Sequence, residues 1–147
     1  FLYFNFKEVK LKVKISPPRN WRLKETLYSI VLGKCEKCGN IMYPYQQLCT
    51  SCGSTNVKKI VSRGHGKLIE YTISYQSREG YEKALPMAVG LIELDEGVRI
   101  LAPLTDTDNI KEGAEVEAVL RRITADSNNG LIQYGIKFRV IDNARDN

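Results

Sequence analysis

The chain begins with a stretch in which apolar and charged side chains alternate. Val9, Leu11, Val13 and Ile15 stand on one side of the alternation, and three lysines stand on the other. Successive side chains of a strand point to opposite faces, so a period of two indicates a strand with one buried face. Two prolines then end the pattern. We therefore predict that residues 1–17 form a strand-like N-terminal extension.

A helix is predicted from residue 18 to residue 33. A mainly apolar stripe at helical spacing is formed by Trp21, Leu23 or Lys24, Leu27 or Tyr28, and Val31. Such a stripe favours a helix with one buried side. Asn20 suits the N-cap of this helix, and Gly33 suits its C-cap. On this interpretation, Trp21 anchors the helix in the core or between domains.

From residue 57 onward the pattern predicts one strand after another. The candidate strands are Lys67–Tyr75, Met87–Leu94, Val98–Leu104, Glu115–Ile123 and Leu131–Ile141. Asp95, Glu96 and Gly97 separate the second from the third and form a compact hairpin signal. These strands, within residues 60–141, favour a small closed or partly closed antiparallel barrel. Residues 105–113 are expected to form a turn or a single helical turn, and residues 142–147 a polar tail.

Cysteines dominate the segment between the helix and the barrel, residues 34–59. This segment has little periodic apolar pattern and cannot bury much core, so it needs another source of stability. It holds two copies of one motif, Cys35-x-x-Cys38-Gly39 and Cys49-x-x-Cys52-Gly53. The two-residue spacing lets both sulfurs of a turn face one ion, and the glycine lets backbone N–H groups point at the sulfurs. The sequence therefore predicts a zinc ribbon with a tetrahedral site of four thiolates.

One structural zinc ion is the expected occupant of this site. Iron also fits four thiolates, but zinc is the usual structural choice. The alternative is two disulfides or four free thiols, which a reducing compartment and the matched glycines disfavour. Because all four positions are protein ligands, no position remains open for an activated water, and the metal is expected to be structural.

Composition and charge are those of an ordinary globular protein. The chain has 147 residues, of which 43% are hydrophobic and 27% charged. No apolar run approaches the roughly 20 residues of a membrane helix. The apolar start of the chain is too short for a secretion signal, because charged residues follow it closely. We therefore expect a cytoplasmic protein with no membrane partner. The formal charge of +5 permits an anionic ligand or an acidic partner without requiring one.

Catalytic machinery is not evident in the sequence. His65 is the single histidine, between two glycines at the start of a strand, and is interpreted as a solvated residue. Asp106 and Asp108 could form a metal or acid–base pair, but their turn-like surroundings favour solvated loops. Without a second histidine or a cysteine outside the paired motifs, no nucleophile–base pair can be assembled. We therefore expect a protein that is not an enzyme.

Several motifs, taken in order, resemble a known family. They are Pro18-Arg19-Asn20-Trp21-Arg22, Leu32-Gly33-x-Cys35-x-x-Cys38-Gly39, Cys49-x-x-Cys52-Gly53-Ser54, Gly64-x-Gly66-Lys67-Leu68-x-x-Tyr71-Thr72, Pro86-x-x-Val89 continuing to Gly97, and Gly113-x-x-Val116-Glu117. The family is a domain of unknown function that joins an N-terminal helix, a rubredoxin-like zinc ribbon and a C-terminal OB-fold. It is common in archaea and bacteria beside acyl-CoA enzymes. The resemblance spans about residues 18–140 and implies a mainly β fold with a five-stranded OB-fold barrel.

The resemblance implies a non-catalytic, zinc-binding accessory or scaffold protein of acyl-CoA metabolism. The partners it implies are thiolase-like and hydroxymethylglutaryl-CoA-synthase-like enzymes, with acyl-CoA as a candidate ligand. Basic side chains on the predicted helix suit the phosphates of CoA, and aromatic ones suit its adenine or pantetheine. The candidate ligand-binding or partner-binding residues are Arg19, Trp21, Arg22, Lys24 and Tyr28.

Single-stranded nucleic acid is the alternative ligand, because zinc ribbons and OB-folds often bind it. Binding of this kind needs aromatic platforms beside cations. The candidate side chains are Tyr71, Tyr75, Tyr81 and Tyr134, with Lys67, Arg78, Lys83 and Lys137. This alternative ranks second, because the tyrosines can instead fill the barrel or its rim. A charge of +5 is also modest for a protein that follows phosphates.

Overall fold

The computed structural model describes residues 15–77, 82–125 and 130–141. Within these ranges, two short helices precede two sheets. The elements are α1 (Pro17–Arg22), α2 (Lys24–Tyr28), β1 (Val31–Cys35), β2 (Ile41–Met42), β3 (Val57–Val61), β4 (His65–Ser74), a 3₁₀ turn (Glu82–Ala84), β5 (Met87–Leu94), β6 (Arg99–Pro103), β7 (Glu115–Ala125) and β8 (Ile132–Val140). The predicted N-terminal strand falls mainly on residues 1–14 and the predicted tail on residues 142–147, both outside the described ranges. No described helix has the length and apolar character needed to span a bilayer.

The start of the predicted helix is displaced. Ser16, not Asn20, is the N-cap of α1, and its side chain makes no capping hydrogen bond. Pro17 occupies the first turn, where the N–H that proline lacks would have no helical partner in any case. Asn20 instead donates its backbone N–H to the Ser16 carbonyl at 3.0 Å, within the first turn.

The single helix predicted for residues 18–33 is wrong in its continuity and its end. Leu23, with φ −96° and ψ 5°, separates α1 from α2. Ser29 is already extended, with φ −144° and ψ 158°, and the chain enters β1 at Val31. Neither helix contains a fully buried residue; of the predicted stripe, Trp21 and Tyr28 are exposed, Leu27 is half-buried, and Val31 is buried in a strand instead.

The ribbon sheet has the strand order β2-β1-β3. β1 pairs antiparallel with β3 along its whole length, so this sheet spans residues 31–61 rather than the predicted 34–59. Gly33 lies inside β1 and is not a helix cap. A Cβ at Gly33 would lie 3.1 Å from Val57 Cγ1 and 3.2 Å from Met42 Cγ. The glycine therefore allows close packing of side chains from the neighbouring strands.

The second sheet is a curled, five-stranded, OB-like half-barrel with the order β6-β5-β4-β7-β8. β4 contains an irregularity between Leu68 and Glu70 and pairs along most of its length with β5, but it pairs with β7 only through its first three residues. The two outer strands approach each other at a parallel bridge between Leu104 and Phe138. There the Thr105 N–H donates to the Phe138 carbonyl at 2.9 Å. The mainly β fold and the five-stranded, partly closed barrel are thus confirmed.

Two turns of the barrel agree with the sequence-based expectation. The β5–β6 hairpin is closed by the Leu94 N–H, which donates to the Val98 carbonyl at 2.9 Å, and Gly97 has a φ of 86°. Residues 105–113 form bends and a turn with no helix. The short connection predicted before β7 is therefore confirmed.

One strand of the ribbon faces two cores. Ile30, just before β1, and Leu32 belong to the core of the barrel, whereas Cys35 packs with Met42 and Cys49 in a separate small cluster. Alternate side chains of a strand point to opposite faces, so β1 contributes to both. The barrel core comprises Ile30, Leu32, Leu68, Ala88, Ile92, Leu94, Ile100, Ala102, Leu104, Ile110, Val116 and Phe138. The ribbon is therefore joined to the barrel by shared packing.

Candidate metal centre and surrounding surfaces

The two cysteine motifs form matched turns, which we call the knuckles. In the first, the Cys35 N–H donates to the Asn40 carbonyl at 2.9 Å, and the Gly39 N–H donates to the Cys35 carbonyl at 3.0 Å. In the second, Cys49 pairs with Ser54 and Gly53 with Cys49 at the same two distances. Gly39 and Gly53 have φ of 72° and 69°, in the left-handed region that glycine adopts without strain. The repeated sequence motif thus folds into a repeated geometry.

The four sulfurs converge on one point. All four lie within 4.8 Å of one another, and the Cys35–Cys52 and Cys38–Cys49 sulfur pairs are each 3.6 Å apart. A tetrahedral zinc ion with bonds of about 2.3 Å requires sulfurs about 3.8 Å apart. No disulfide joins the four cysteines, and the convergence of all four sulfurs on one point favours a metal site over the disulfide alternative. The cysteines are positioned to hold one metal ion, as predicted.

Each knuckle contributes one sheltered and one exposed cysteine. Cys35 and Cys49 are 0% and 2% exposed, and both sit in the small ribbon core. The backbone N–H of Cys38, three residues on, is the largest influence that lowers the pKa of Cys35. The equivalent N–H of Cys52 is the largest that lowers the pKa of Cys49, to about 6. The buried sulfurs are therefore favoured as thiolates by the turn itself.

Cys38 has the opposite tendency. The Asn40 N–H acts to lower the pKa of Cys38, but desolvation and the three neighbouring sulfurs outweigh it and raise this pKa to about 12. Adjacent thiolates repel one another, so the protein alone does not favour four negative charges in this space. A divalent cation would remove the conflict. The four ligands would fill its tetrahedral positions, which is the arrangement of a structural zinc rather than a catalytic one.

The predicted ligand-binding residues lie on the exposed surface of α1 and α2. Trp21 is 70% exposed and Tyr28 is 54% exposed, and Arg19, Arg22 and Lys24 are exposed as well. The Lys24 ammonium stands 4.0 Å from the centroid of the Trp21 ring. The expectation that Trp21 anchors the helix in a core is therefore wrong.

The residues proposed for nucleic-acid binding are dispersed. His65, at the start of β4, pairs with Glu117 of β7. Tyr134 pairs with Arg122, which lies five residues further along β7. Tyr71 lies six residues from His65 in the other direction along the sheet. Tyr134 and Tyr71 thus lie toward opposite ends of the barrel. Of the other candidates, Arg78 and Tyr81 fall outside the described residues.

The remaining chemical candidates are solvated. His65 is exposed as the first residue of β4, and Asp106 and Asp108 are exposed in a loop. The Asp106 carboxylate accepts a hydrogen bond from the Thr105 hydroxyl at 3.0 Å.

Glu96 is a structural residue that the sequence did not reveal. Its carboxylate accepts hydrogen bonds from the Ser62 hydroxyl at 3.0 Å and from the Arg63 N–H at 3.1 Å. It thereby fastens the hairpin of the barrel to the segment that leaves the ribbon. The hairpin signal at residues 95–97 identified the turn, but no local pattern indicates a partner 33 residues away.

Comparison with known proteins assigns a family description to each half of the molecule. Residues 26–58 match the family described as "ChsH2, rubredoxin-like zinc ribbon domain". Residues 60–121 match "ChsH2, C-terminal OB-fold domain". The predicted combination of a zinc ribbon with an OB-fold is therefore confirmed, and the cofactor expected at the four cysteines is zinc.

Whole-chain comparisons add three similar proteins. A "DUF35 domain-containing scaffold protein" of Pyrococcus furiosus is 42% identical over 125 residues, which cover 84% of this chain and 91% of the relative. "Benzoylsuccinyl-CoA thiolase subunit BbsA" of Thauera aromatica is 28% identical over 109 residues, 74% of each chain. The solved "Ltp2-ChsH2(DUF35) aldolase" has a TM-score of 0.62 at 22% identity, covering 83% of this chain and 89% of that one. The last likeness concerns the fold alone.

Proposed function

Because this chain belongs to the family of DUF35 domain-containing scaffold proteins, we propose that it is a non-catalytic, zinc-binding accessory subunit of acyl-CoA metabolism. In this role it holds a thiolase-type enzyme in a complex. The name of the Pyrococcus furiosus relative supports a scaffold, and the name of the Thauera aromatica relative supports a subunit of a thiolase. A hydroxymethylglutaryl-CoA-synthase-like enzyme is the second proposed partner, and the cytoplasm is the proposed location.

The observation that carries the proposal is the exposed surface of α1 and α2. Trp21, Leu23 and Tyr28 are 70%, 43% and 54% exposed, although large apolar side chains are usually the ones that a fold buries. They alternate with the cations Arg19, Arg22 and Lys24. Interfaces are enriched in aromatic residues and arginine. This composition therefore supports a docking surface, which an accessory subunit needs.

Zinc has a supporting role in this proposal. Cys35, Cys38, Cys49 and Cys52 hold the ion, and their four sulfurs leave it without an open position for substrate. When bound, the ion would cross-link the two knuckles and would take no part in a reaction. Its stabilisation of the ribbon keeps β1 in place, and β1 follows directly from the helices that carry the proposed docking surface.

Acyl-CoA is the proposed ligand of the same surface. The guanidinium groups of Arg19 and Arg22 suit the phosphates of CoA, because arginine forms paired hydrogen bonds to phosphate oxygens. The Lys24 ammonium lies 4.0 Å from the centroid of the Trp21 ring, and this side chain, 70% exposed, suits adenine or pantetheine. Binding is expected without turnover.

Co-purification tests the assembly role directly. The full-length chain is tagged, recovered from its native cells, and its partners are identified. The thiolase-type enzyme found there is then purified, and its complex with the chain is measured by light scattering and calorimetry. The double substitution Arg19→Ala/Arg22→Ala should weaken the complex. Acyl-CoA is titrated into the chain alone and into the complex while the fluorescence of Trp21 is followed.

Arg99→Ala is the matched control for the double substitution. Arg99 is exposed on β6 and pairs with Glu93 at 4.0 Å, so its loss removes a surface arginine without touching the helices. The control should bind the enzyme like the wild-type chain. Absence of any thiolase-type partner, together with an unchanged Trp21 signal on addition of acyl-CoA, would contradict the proposed function.

A further inference from the structure

The hairpin of β7 and β8 extends beyond the barrel. β4 pairs with β7 through Glu115–Glu117, and the Ala118 N–H donates to the Gly64 carbonyl at 2.7 Å. From residue 119 onward β7 pairs with β8, and no third strand among the described residues joins them. We call residues 119–125 and 131–137 the arm. A two-stranded sheet is only marginally stable by itself, so packing against its faces would stabilise the arm.

The inner face of the arm continues the apolar stripe that fills the barrel. Along β8, alternate side chains run from the buried Phe138 through the half-buried Ile136 to Tyr134 and Ile132, which are 45% and 48% exposed. Leu120, which pairs with Ile136, is 51% exposed. Side chains two residues apart in a strand share a face. The apolar stripe therefore continues from the buried core of the barrel to solvent-exposed positions on the arm.

The arm adjoins the helical surface. The Leu27 carbonyl oxygen lies 3.8 Å from the position that a Cβ on Gly135 would occupy, which places α2 against β8 on the face opposite Tyr134 and Ile136. Tyr28 lines one cleft together with Leu120 and Ile136. Exposed apolar side chains thus extend from α2 onto the arm. Scattered apolar residues are ordinary on a surface, whereas a contiguous patch marks an interaction site.

Cations lie on the same elements as this apolar patch. They are Arg19, Arg22 and Lys24 on the helices and Arg121, Arg122 and Lys137 on the arm. The acid on the helices, Glu25, is paired with Lys59 at 3.3 Å, and the described residues of the arm include no acid. Binding surfaces match potentials of opposite sign. The complementary surface therefore has an apolar centre and a rim of carboxylates.

We propose that the arm and the two helices form one docking surface for an apolar, acid-rimmed face of the partner enzyme. The inference rests on the proposed function and adds to it the arm, which contains none of the residues expected from the sequence to bind acyl-CoA or a partner enzyme, although Tyr134 and Lys137 were candidates for nucleic-acid binding. A protein is favoured over a nucleic acid because Leu120, Ile132 and Ile136 are aliphatic. Single strands bind by stacking of bases on aromatic rings, whereas protein interfaces bury side chains in packed pockets.

The test uses the full-length, zinc-loaded chain and the purified thiolase-type enzyme identified by co-purification. Leu120→Asp and Ile132→Asp each place a carboxylate in the apolar patch. Leu101→Asp is the matched control, because Leu101 is 75% exposed on β6, at the other edge of the sheet. We expect each arm variant to weaken binding about tenfold or more, and the control to bind like the wild-type chain.

Two further measurements separate binding from folding. Amide hydrogen exchange in the arm should slow when the enzyme is added to the wild-type chain. Arg121→Glu/Arg122→Glu changes exposed side chains and leaves the apolar stripe intact, so it tests the surface even where an Asp variant fails to fold. This charge reversal should also weaken binding. Equal zinc content and equal unfolding midpoints confirm that the compared variants are folded.

The outcomes distinguish the inference from the proposed function. If the wild-type chain binds the enzyme and every arm variant binds equally well, the docking surface is overturned and the proposed function stands. If the wild-type chain does not bind the enzyme, the proposed function fails and the inference fails with it. Another occupant of the arm also overturns the inference. Full protection of the arm amides from hydrogen exchange in the free chain would be one sign of this. A dimer that Leu120→Asp dissociates would be another. The third would be tight oligonucleotide binding at physiological salt that Arg121→Glu/Arg122→Glu abolishes.

Discussion

The ribbon and the barrel differ in what holds them together. The core specific to the ribbon consists of Cys35, Met42 and Cys49, with Val57 packed against it, and two of its three buried residues are metal ligands. The barrel instead buries a continuous apolar cluster that includes Leu68, Ile92, Leu94, Val116 and Phe138. A segment with few apolar contacts cannot offset the conformational entropy lost on folding. The ribbon therefore depends on coordination chemistry, and the barrel on burial.

Removal of the metal is the strongest way to separate the two regions. Cys49→Ser removes a buried ligand, and structural zinc contributes about 10–16 kcal/mol of binding free energy in small zinc domains at neutral pH. We expect amides of residues 35–57 to exchange rapidly while those of Leu68 and Ile92 stay protected. Metal analysis should show loss of the single zinc expected in the wild-type chain. Ser51→Ala, an exposed change in the same knuckle, serves as the control.

An equal loss of protection in both regions after Cys49→Ser would contradict this comparison. Less than half an equivalent of zinc in the wild-type chain, purified without chelators, would contradict the metal site itself.

A cavity in the barrel should cost less free energy than loss of the metal, but it should lower amide protection in both regions. Phe138 is 1% exposed, and truncation of a buried phenylalanine costs about 3–5 kcal/mol. Because Ile30 and Leu32 share this core, we expect Phe138→Ala to lower amide protection in β1 as well as in the barrel. Chemical denaturation gives the free energy of unfolding, and hydrogen exchange locates the loss.

Leu101→Ala is the control for the cavity, since this leucine is 75% exposed and its truncation should change stability by less than about 0.5 kcal/mol. Loss confined to the barrel in Phe138→Ala would show that the ribbon does not depend on the shared core.

The smallest predicted effect concerns the contact between the two regions. Glu96→Ala removes the acceptor of the Ser62 hydroxyl and the Arg63 N–H, which should cost about 1 kcal/mol in this half-exposed setting. We expect faster exchange of the Arg63 amide, with both cores retained. Asp95→Ala, the exposed neighbour in the same turn, should leave that amide unchanged. If the Arg63 amide exchanged at the same rate in both variants, Glu96 would not stabilise the contact between the ribbon and the barrel.

The metal site could be predicted because its information is local. The spacing of Cys35 and Cys38 and the glycine that follows determine one turn, and the second motif repeats it. Strand alternation was informative for the same reason, since each barrel strand carries its own period of two. Only the meeting of the two knuckles depends on distant residues, and the matched motifs already implied it.

The helix was predicted incorrectly because a distant strand decides the outcome. Residues 31–33 continue a helical spacing, but β1 forms a full antiparallel ladder with β3, whose residues lie about 25 positions further along the chain. Val31 is β-branched and fits a strand as well as a helix. Trp21 was placed in a core on the same mistaken periodicity, and the two short helices that replace the long one contain no fully buried residue.

The two-faced packing of β1 has a consequence for how this protein can be divided. The boundary between the two matched family regions, residues 58 to 60, falls inside β3 and leaves Ile30 and Leu32 on the ribbon side. A fragment that begins at residue 60 would expose the part of the barrel core that these side chains cover, and would tend to aggregate. Insertion of one residue into β1 would exchange its faces and turn Cys35 away from the metal. Gene fusions and shuffling events should therefore move the ribbon and the barrel as one piece, with cuts tolerated outside the pair rather than between them.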